Sequence, residues 1–436
     1  MEWSVILMLF GSFFVMLALS VPISFAIAIS TLFTIMMTLP VDSALTVVTQ
    51  KMASGLDNFA LLAIPFFILA GNIMNRGGIA MRLIALAKVL GSRLPGSLFH
   101  CNVLANMMFG SISGSAVASA AAMGGIMSPL QKKEGYDPEL SAAVNITSCP
   151  TGLLIPPSNT LIVYSLVSGG TSISALFLAG YLPGILMGLG IMLVAGFMAK
   201  RRNYPVAPKP ACKEVLFKTL DALPSLLLIF IVIGGIIAGV FTATEASAIA
   251  VVYTLVLAMG IYREVKLKEL PSIILESSVT TAIVLLLVGA SSGMSWAMAN
   301  ADVPYIIQDA LLYVSDNPIV IMLFITAILL VIGTFMDMTP AVLIFTPILL
   351  PVAMEIGIDP VHFGIIMTFN LCIGICTPPV GSALFVGCSV GKVSIDKVLK
   401  PMLPFFVTLI VTLLIVTFIP DISLALPKLL LNYIPL

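Results

Sequence analysis

The chain has 436 residues, of which 60% are hydrophobic and 9% charged, with a formal net charge of zero and a mean hydropathy of +1.16. That balance excludes an ordinary soluble domain and indicates a polytopic, all-α membrane protein whose surroundings are a lipid bilayer, with no nucleic-acid partner expected. The six cysteines, Cys101, Cys149, Cys212, Cys372, Cys376 and Cys388, contain no CxxC pair and mostly lie in apolar runs, so they read as small buried hydrophobes.

In chain order, the opening MEWSVILMLF carries Glu2 and no Lys or Arg, so it lacks the basic start of a cleavable leader and is expected to remain as the first span. A crossing needs about 20 largely apolar residues. Crossings are predicted near 3–20, 22–39 and 59–75, followed by a basic amphipathic arm from Gly78 to Gly96 lying along a membrane surface. Residues 94–130 and 318–354 are each long enough for two short helices but hold polar centres, FGSISGSAV and IGTFMDMTPAV, and are read as re-entrant hairpins. The remaining crossings are predicted near 139–168, 176–199, 220–241, 244–262, 273–300, 361–390 and 402–420, with an acidic arm at 302–316. If the N-terminus lies outside, this arrangement puts all Lys and Arg except Lys51 and Lys428 in cytoplasmic loops and returns the C-terminus outside.

Two stretches repeat. GYDPELSAAVNITSCPTGLLIPPSNT from Gly135 and GIDPVHFGIIMTFNLCIGICTPPVGS from Gly357 align without a gap, and upstream Gly110 pairs with Gly333. The chain therefore divides into two repeats, 1–210 and 211–436, each with a hairpin followed by a crossing that contains Pro-Pro. Lys132 and Lys133 put the first hairpin's exit inside, whereas Glu355 and Asp359 put the second outside. Equivalent segments on opposite sides make an inverted-topology repeat, an architecture of secondary transporters with sites near the midplane.

Proline has no amide hydrogen and clashes with the preceding turn, so Pro156-Pro157 and Pro378-Pro379 free carbonyls that lipid cannot satisfy. The bland reading is a kink satisfied by neighbouring hydroxyls. The functional reading is a cation held by these carbonyls and by the hairpin tips. Ser111, Ser113 and Ser115 face the carbonyls of Gly152 to Pro157, and Thr334, Asp337 and Thr339 face those of Gly374 to Pro378 with the Thr377 hydroxyl. Uncharged hard oxygens suit a monovalent ion such as sodium better than a divalent one. Asp337, the one acid placed deep in the bilayer, is an ion ligand, a proton carrier or simply a turn cap in a watery cavity. His100 and His362 are expected at segment ends as interfacial side chains.

The segments ANMMFGSISGSAVASAAAMGGIMSPLQKKEGYDPELSAAV, LIPPSNTLIVY, LFLAGYLPGI, GTFMDMTPAVLIFTPILLPVAMEIGIDPVHFGIIM and ICTPPVGSALFVG resemble the large membrane subunit (DctM-type) of tripartite ATP-independent periplasmic (TRAP) transporters. The resemblance covers nearly the whole chain. It implies a bacterial inner-membrane carrier, not an enzyme, that couples organic-acid uptake to sodium and takes substrate from a periplasmic substrate-binding protein. It also implies a small four-helix membrane subunit (DctQ-type) and an elevator in which a transport domain slides against a scaffold. Carried onto matching positions, one sodium site would use Ser113, Ser115, Gly152, Ile155 and Pro157, and another Gly333, Asp337, Gly374 and Thr377. At least two sodium ions and no organic cofactor are implied, with the carboxylate substrate near Asn159, Thr160 and Ser382. The run CPTGLLIPPSNTLIVYSLVSGGTSISALF is most similar to sialic-acid members. Alternatives are a C4-dicarboxylate or other carboxylate permease, a binding-protein-independent or proton-coupled carrier, and a channel. An intramembrane enzyme lacks its signature, since there is no HExxH and neither His has a recognisable partner.

Overall fold

The computed structural model describes residues 2–92, 94–204, 212–315 and 317–435, and within them the chain is helical, with no strand. The first half contains α1 (Glu2–Ala18), α2 (Ile23–Met36), α3 (Val41–Leu56), α4 (Ala63–Arg76), α5 (Ile79–Gly91), α6 (Ser97–Ser113), α7 (Ala116–Lys133), α8 (Pro138–Ser148), α9 (Thr151–Leu154), α10 (Asn159–Val167) and α11 (Ile173–Arg201). The second contains α12 (Cys212–Ile237), α13 (Ala243–Leu255), α14 (Leu270–Asn300), α15 (Val303–Val314), α16 (Pro318–Phe335), α17 (Met338–Glu355), α18 (Pro360–Gly374), α19 (Ser382–Gly391), α20 (Ile395–Phe418) and α21 (Asp421–Leu431). The expected boundary between halves at 210/211 falls outside the described residues.

Among the described residues, eight helical segments are long and apolar enough to cross a membrane. The chain is thus a multi-pass membrane protein. Both arms of the second hairpin, α16 and α17, fill the stretch expected from sequence with 18 residues each, and both belong to that set by length and composition. Conversely, the Pro-Pro crossings do not form continuous spans, because each breaks into separate helices at its prolines.

Two helices escape the sequence reading. Residues of α3 look like an outer loop because Asp42, Gln50 and Lys51 dilute the apolar pattern, yet Ala44 and Val48 form a buried stripe against Ile35 and Ala297. Likewise α21 packs on α11 beyond the last predicted crossing. The two histidines also depart from expectation, because both are buried and hydrogen-bonded. His362 Nδ1 lies 2.6 Å from Ser423 Oγ and its Nε2 lies 3.2 Å from Thr417 O, which ties α18 to the C-terminal helices. His100 Nε2 meets Pro95 O at 3.0 Å.

The two aligned segments begin in the same way. Asp137 and Asp359 each precede a Pro at the first helical position, and each carboxylate accepts from the second and third amides of its helix. The distances are 2.9 and 3.3 Å for α8, and 2.8 and 3.3 Å for α18. This cap satisfies donors that begin a helix, and Pro is tolerated there because its missing N–H had no partner to lose. The alternation of buried and exposed positions is also the same over Val21–Ser30 and Phe241–Ala250. Packing interlocks the halves, because α13 lies on α4 while its counterpart α2 lies on α14.

The basic arm becomes α5, packed against α6 and α12 through Ile79, Leu83, Ile84 and Ala87. Arg82 fastens it. Its guanidinium stacks 3.6 Å from the Tyr262 ring centre, its Nε donates to Asp221 Oδ1 at 3.2 Å, and one Nη donates to Gly78 O at 3.0 Å. Arg82→Ala is expected to remove about 1–2 kcal/mol of packing and cation–π energy, lowering the unfolding midpoint in detergent. Arg82→Lys should recover only part of that loss, because an ammonium cannot stack and fork at once.

Candidate functional site

Each hairpin turns in two residues. Gly114 and Ser115 join α6 to α7, and Met336 and Asp337 join α16 to α17. Gly114 takes a left-handed conformation, φ +62°, which favours glycine, and any Cβ there would meet Asn159 Nδ2 at 2.8 Å. Ser115 then caps α7, its Oγ accepting from Ala118 N at 3.2 Å, while Ser113 Oγ donates weakly to Ser115 O at 3.4 Å. Asp337 occupies the corresponding N-cap of α17, and the Ser382 hydroxyl lies beside its carboxyl.

Behind each tip, the hairpin's first helix touches the broken segment backbone to backbone. A Cβ on Gly110 would sit 3.0 Å from Gly152 Cα, and one on Gly333 would sit 3.0 Å from Gly374 Cα. In the opposite direction, a Cβ on Gly152 or Gly374 would overlap the partner helix's backbone outright. Sequence placed Gly152, Gly333 and Gly374 at the site as carbonyl donors. The structure gives them a second reason to be glycine, since only a hydrogen fits between these helices. The halves also meet directly, where Cys372 Sγ lies 3.5 Å from Pro150 O, its counterpart position in the repeat.

The two Pro-Pro bonds are both cis, but the two breaks are satisfied differently. In the second, Gly374 O accepts from Thr377 N at 2.8 Å, Ile375 O from Ala383 N at 3.1 Å, and Thr377 O from Gly381 N at 3.2 Å. The Thr377 hydroxyl donates to Ile373 O at 2.8 Å. Three of the carbonyls expected to be free there, those of Gly374, Ile375 and Thr377, are therefore met by local amides and keep only a second lone pair for a ligand. In the first break, no described residue donates to the carbonyls of Ile155 or Pro157, and the buried Ser158 hydroxyl has no partner. The Ile155 side chain packs near Gly184, and Pro157 lines a small apolar gap with Phe67, Met74 and Leu228, so both residues can address a ligand only through their backbone.

The tips open onto a cavity of about 410 Å³. One wall comes from α4 and α14, with Asn72, Asn75, Glu276 and Thr280; the other comes from Ser113, Gly114, Ser115, Asn159, Thr160, Asp337 and Thr339. A smaller space of about 70 Å³ links the tips past Leu153, Thr160 and Ile375. Asp337 is exposed and opens onto both this space and the larger cavity. The lining holds two carboxylates and no Lys, Arg or His. Glu276 is paired with Arg76 at 2.7 Å on the rim, whereas Asp337 has no ion pair among the described residues.

Of the residues expected at the site, Ser113, Ser115, Asn159, Thr160 and Asp337 line one cavity and Ser382 adjoins Asp337. Gly152, Ile155, Pro157, Gly333, Gly374 and Thr377 lie behind them in the helix breaks and crossings. The α4 and α14 wall is not among the site residues expected from sequence. Asn72 and Asn75, polar residues within an otherwise apolar helix, were the available signal.

The family described as "Tripartite ATP-independent periplasmic transporter, DctM component" matches residues 10–422. The chain belongs to this DctM family. This DctM protein is 64% identical over 424 residues to the uncharacterized protein YgiK of Salmonella typhimurium, covering 97% of each chain. It is 40% identical to the sialic acid TRAP transporter large permease protein SiaM of Vibrio cholerae, over 88% of this chain and 90% of that one. It is 38% identical to the 2,3-diketo-L-gulonate TRAP transporter large permease protein YiaN of Escherichia coli, over 86% and 88%. The YdaH transporter of Alcanivorax borkumensis shares the fold, with a TM-score of 0.62, 13% identity, and coverage of 86% of this chain and 88% of that one. The DctM protein is therefore a transporter permease of the TRAP type, serving substrate uptake, and not an enzyme.

Proposed function

We propose that this DctM protein is the sodium-coupled carrier of a TRAP system in a bacterial inner membrane, with both termini periplasmic and sialic acid as the favoured organic acid. It receives substrate from a periplasmic substrate-binding protein and works bound to a small four-helix subunit. The observation that carries this reading is the electrostatics of the cavity, where acids, amides and hydroxyls line the wall without one basic side chain. An organic anion entering beside Asp337 needs accompanying cations to offset the repulsion. The unpartnered Ser158 hydroxyl and free carbonyls at Ile155 and Pro157 supply neutral hard oxygens for one such ion, and Ser113 and Ser115 of the first tip complete its shell. Asp337, with Gly333, Gly374 and Thr377 behind it, serves a second. Asn159, Thr160 and Ser382 then hydrogen-bond the substrate between the two ions.

In this reading the halves form an inverted-topology repeat with re-entrant tips. The tip-bearing helices α6–α10 and α16–α19 travel against a frame of α1–α4 and α12–α15, since the cavity lies between these groups. Uptake of labelled sialic acid into proteoliposomes holding this chain and its small partner tests the proposal. It should require both sodium and the binding protein, and potassium should not substitute. Uptake without the binding protein would point to a self-sufficient permease.

Ser113→Ala should raise the sodium concentration needed for half-maximal uptake by about 10-fold, the scale of one lost ligand. Ser115→Ala should do the same and also lower the unfolding midpoint, because it removes the α7 cap at a cost of about 1 kcal/mol. Unchanged sodium dependence in both variants would remove the first tip from the ion shell. A proton-coupled carrier is the second reading, favoured by the lack of an ion pair at Asp337. It requires uptake driven by an inward proton gradient without sodium.

A further inference from the structure

Away from the cavity, α11 and α20 enclose a groove that shares no lining residue with it. The two helices touch where Gly190 meets Thr408, a Cβ on the glycine lying 3.0 Å from Thr408 Cγ2. The later residues Met198 and Arg201 of α11 lie beside the earlier Pro404 of α20, so the pair is antiparallel. From the crossing, α11 runs on to Arg201 and α20 runs back to Lys397, each about 16 Å at ~1.5 Å per residue. Half the hydrocarbon thickness of a bilayer is about 15 Å. The basic ends of both helices therefore reach one level, a headgroup's depth from a crossing near the midplane.

Between these ends the groove has a volume of about 830 Å³ and an apolar lining that includes Leu193, Phe197, Met198, Pro404 and Val407. Among the described residues nothing covers it, since Leu193 is 75%, Phe197 68% and Val407 61% exposed. Lys400 stands one helical turn before Pro404 and two before Val407, hence on the same face. Arg202 is already engaged by Asp137. By contrast Lys200, Arg201, Lys397 and Lys400 are exposed and enter no ion pair among the described residues; Asp396 is the acid beside them on α20.

We propose that this groove binds one anionic glycerophospholipid, with an acyl chain along Leu193, Phe197 and Val407 and the phosphate between Arg201 and Lys400. An apolar slot ending in unpaired cations at headgroup depth matches a lipid that is apolar along its length and anionic at one end. A second copy of the chain docking symmetrically would bring the same cations together. Free phosphate would leave the apolar slot empty. The site depends on the chain crossing a membrane and not on sodium coupling or substrate.

Native mass spectrometry of the full chain with phosphatidylglycerol or phosphatidylcholine of equal chain length is the test. Phosphatidylglycerol should be retained preferentially. Arg201→Gln and Lys400→Gln should each lower that retention about fivefold, the worth of one cation near the membrane surface, while Lys268→Gln leaves it unchanged. A photoactivatable phosphatidylglycerol should label peptides of α11 and α20 in the unaltered chain, which makes the result independent of how the variants fold. Equal retention of both lipids, displacement by inorganic phosphate, labelling elsewhere, or protection of the groove by the small membrane subunit would overturn the assignment, the last by naming a protein as its occupant.

Discussion

Asp337→Asn is expected to reduce sodium-dependent uptake at least about 100-fold while leaving the protein folded. The carboxylate opens onto the cavity and forms no ion pair among the described residues, so its removal strands no buried partner charge. What it removes is attraction for a cation. At ~4 Å and an effective dielectric of ~20, that attraction is worth about 4 kcal/mol, which exceeds the roughly 2.7 kcal/mol that 100-fold represents. Asp337→Glu should recover part of the activity, since it restores the charge at a different reach. Uptake of labelled substrate against sodium concentration, alongside the unfolding midpoint, measures both effects. Full sodium dependence in the Asn variant would show that the second tip is only a helix cap. Loss of uptake together with loss of proton-driven transport would transfer the residue to proton coupling.

The second large effect is expected from methyl groups far smaller than any charge. Gly152→Ala and Gly374→Ala would each force a Cβ into the backbone of the facing hairpin helix, at Gly110 and Gly333 respectively. Backbone cannot step aside as a flexible side chain can. Each substitution should therefore cost at least about 3 kcal/mol of local packing, the upper range for overfilled interiors, and separate the hairpin from its broken helix. Uptake should be lost in both variants, with a lowered unfolding midpoint. Gly125→Ala is the control, because nothing lies within 4 Å of a Cβ on that exposed face of α7. It should be neutral or slightly stabilising, as Ala outranks Gly within helices by about 1 kcal/mol. Equal behaviour of Gly125→Ala and Gly152→Ala would mean that close approach is not the reason for glycine at the breaks.

The matched behaviour expected of Gly152 and Gly374 follows from a repeat that is visible in the sequence. Local chemistry made much of this protein legible. Sixty per cent hydrophobic residues specify lipid as the solvent, and Asp-Pro before α8 and α18 marks two helix starts because both residues act on their own next turn. Pro-Pro within apolar runs marks the breaks for the same reason, and Ser115 and Asp337 at polar centres mark the tips. Amphipathic α3 was lost where local signals conflict, its polar face outweighing a narrow buried stripe.

Only the tertiary structure decided which segments face one another. It set Asn72 and Glu276 opposite Asp337, buried His362 against Ser423, and turned Pro157 toward apolar helices. It also met the Gly374, Ile375 and Thr377 carbonyls of the second break with local amides while leaving those of Ile155 and Pro157 without donors among the described residues. Helix periodicity and proline chemistry act over one or two turns. Adjacency between residues some 200 positions apart is fixed instead by close packing, at contacts such as Pro150 with Cys372 and α4 with α13.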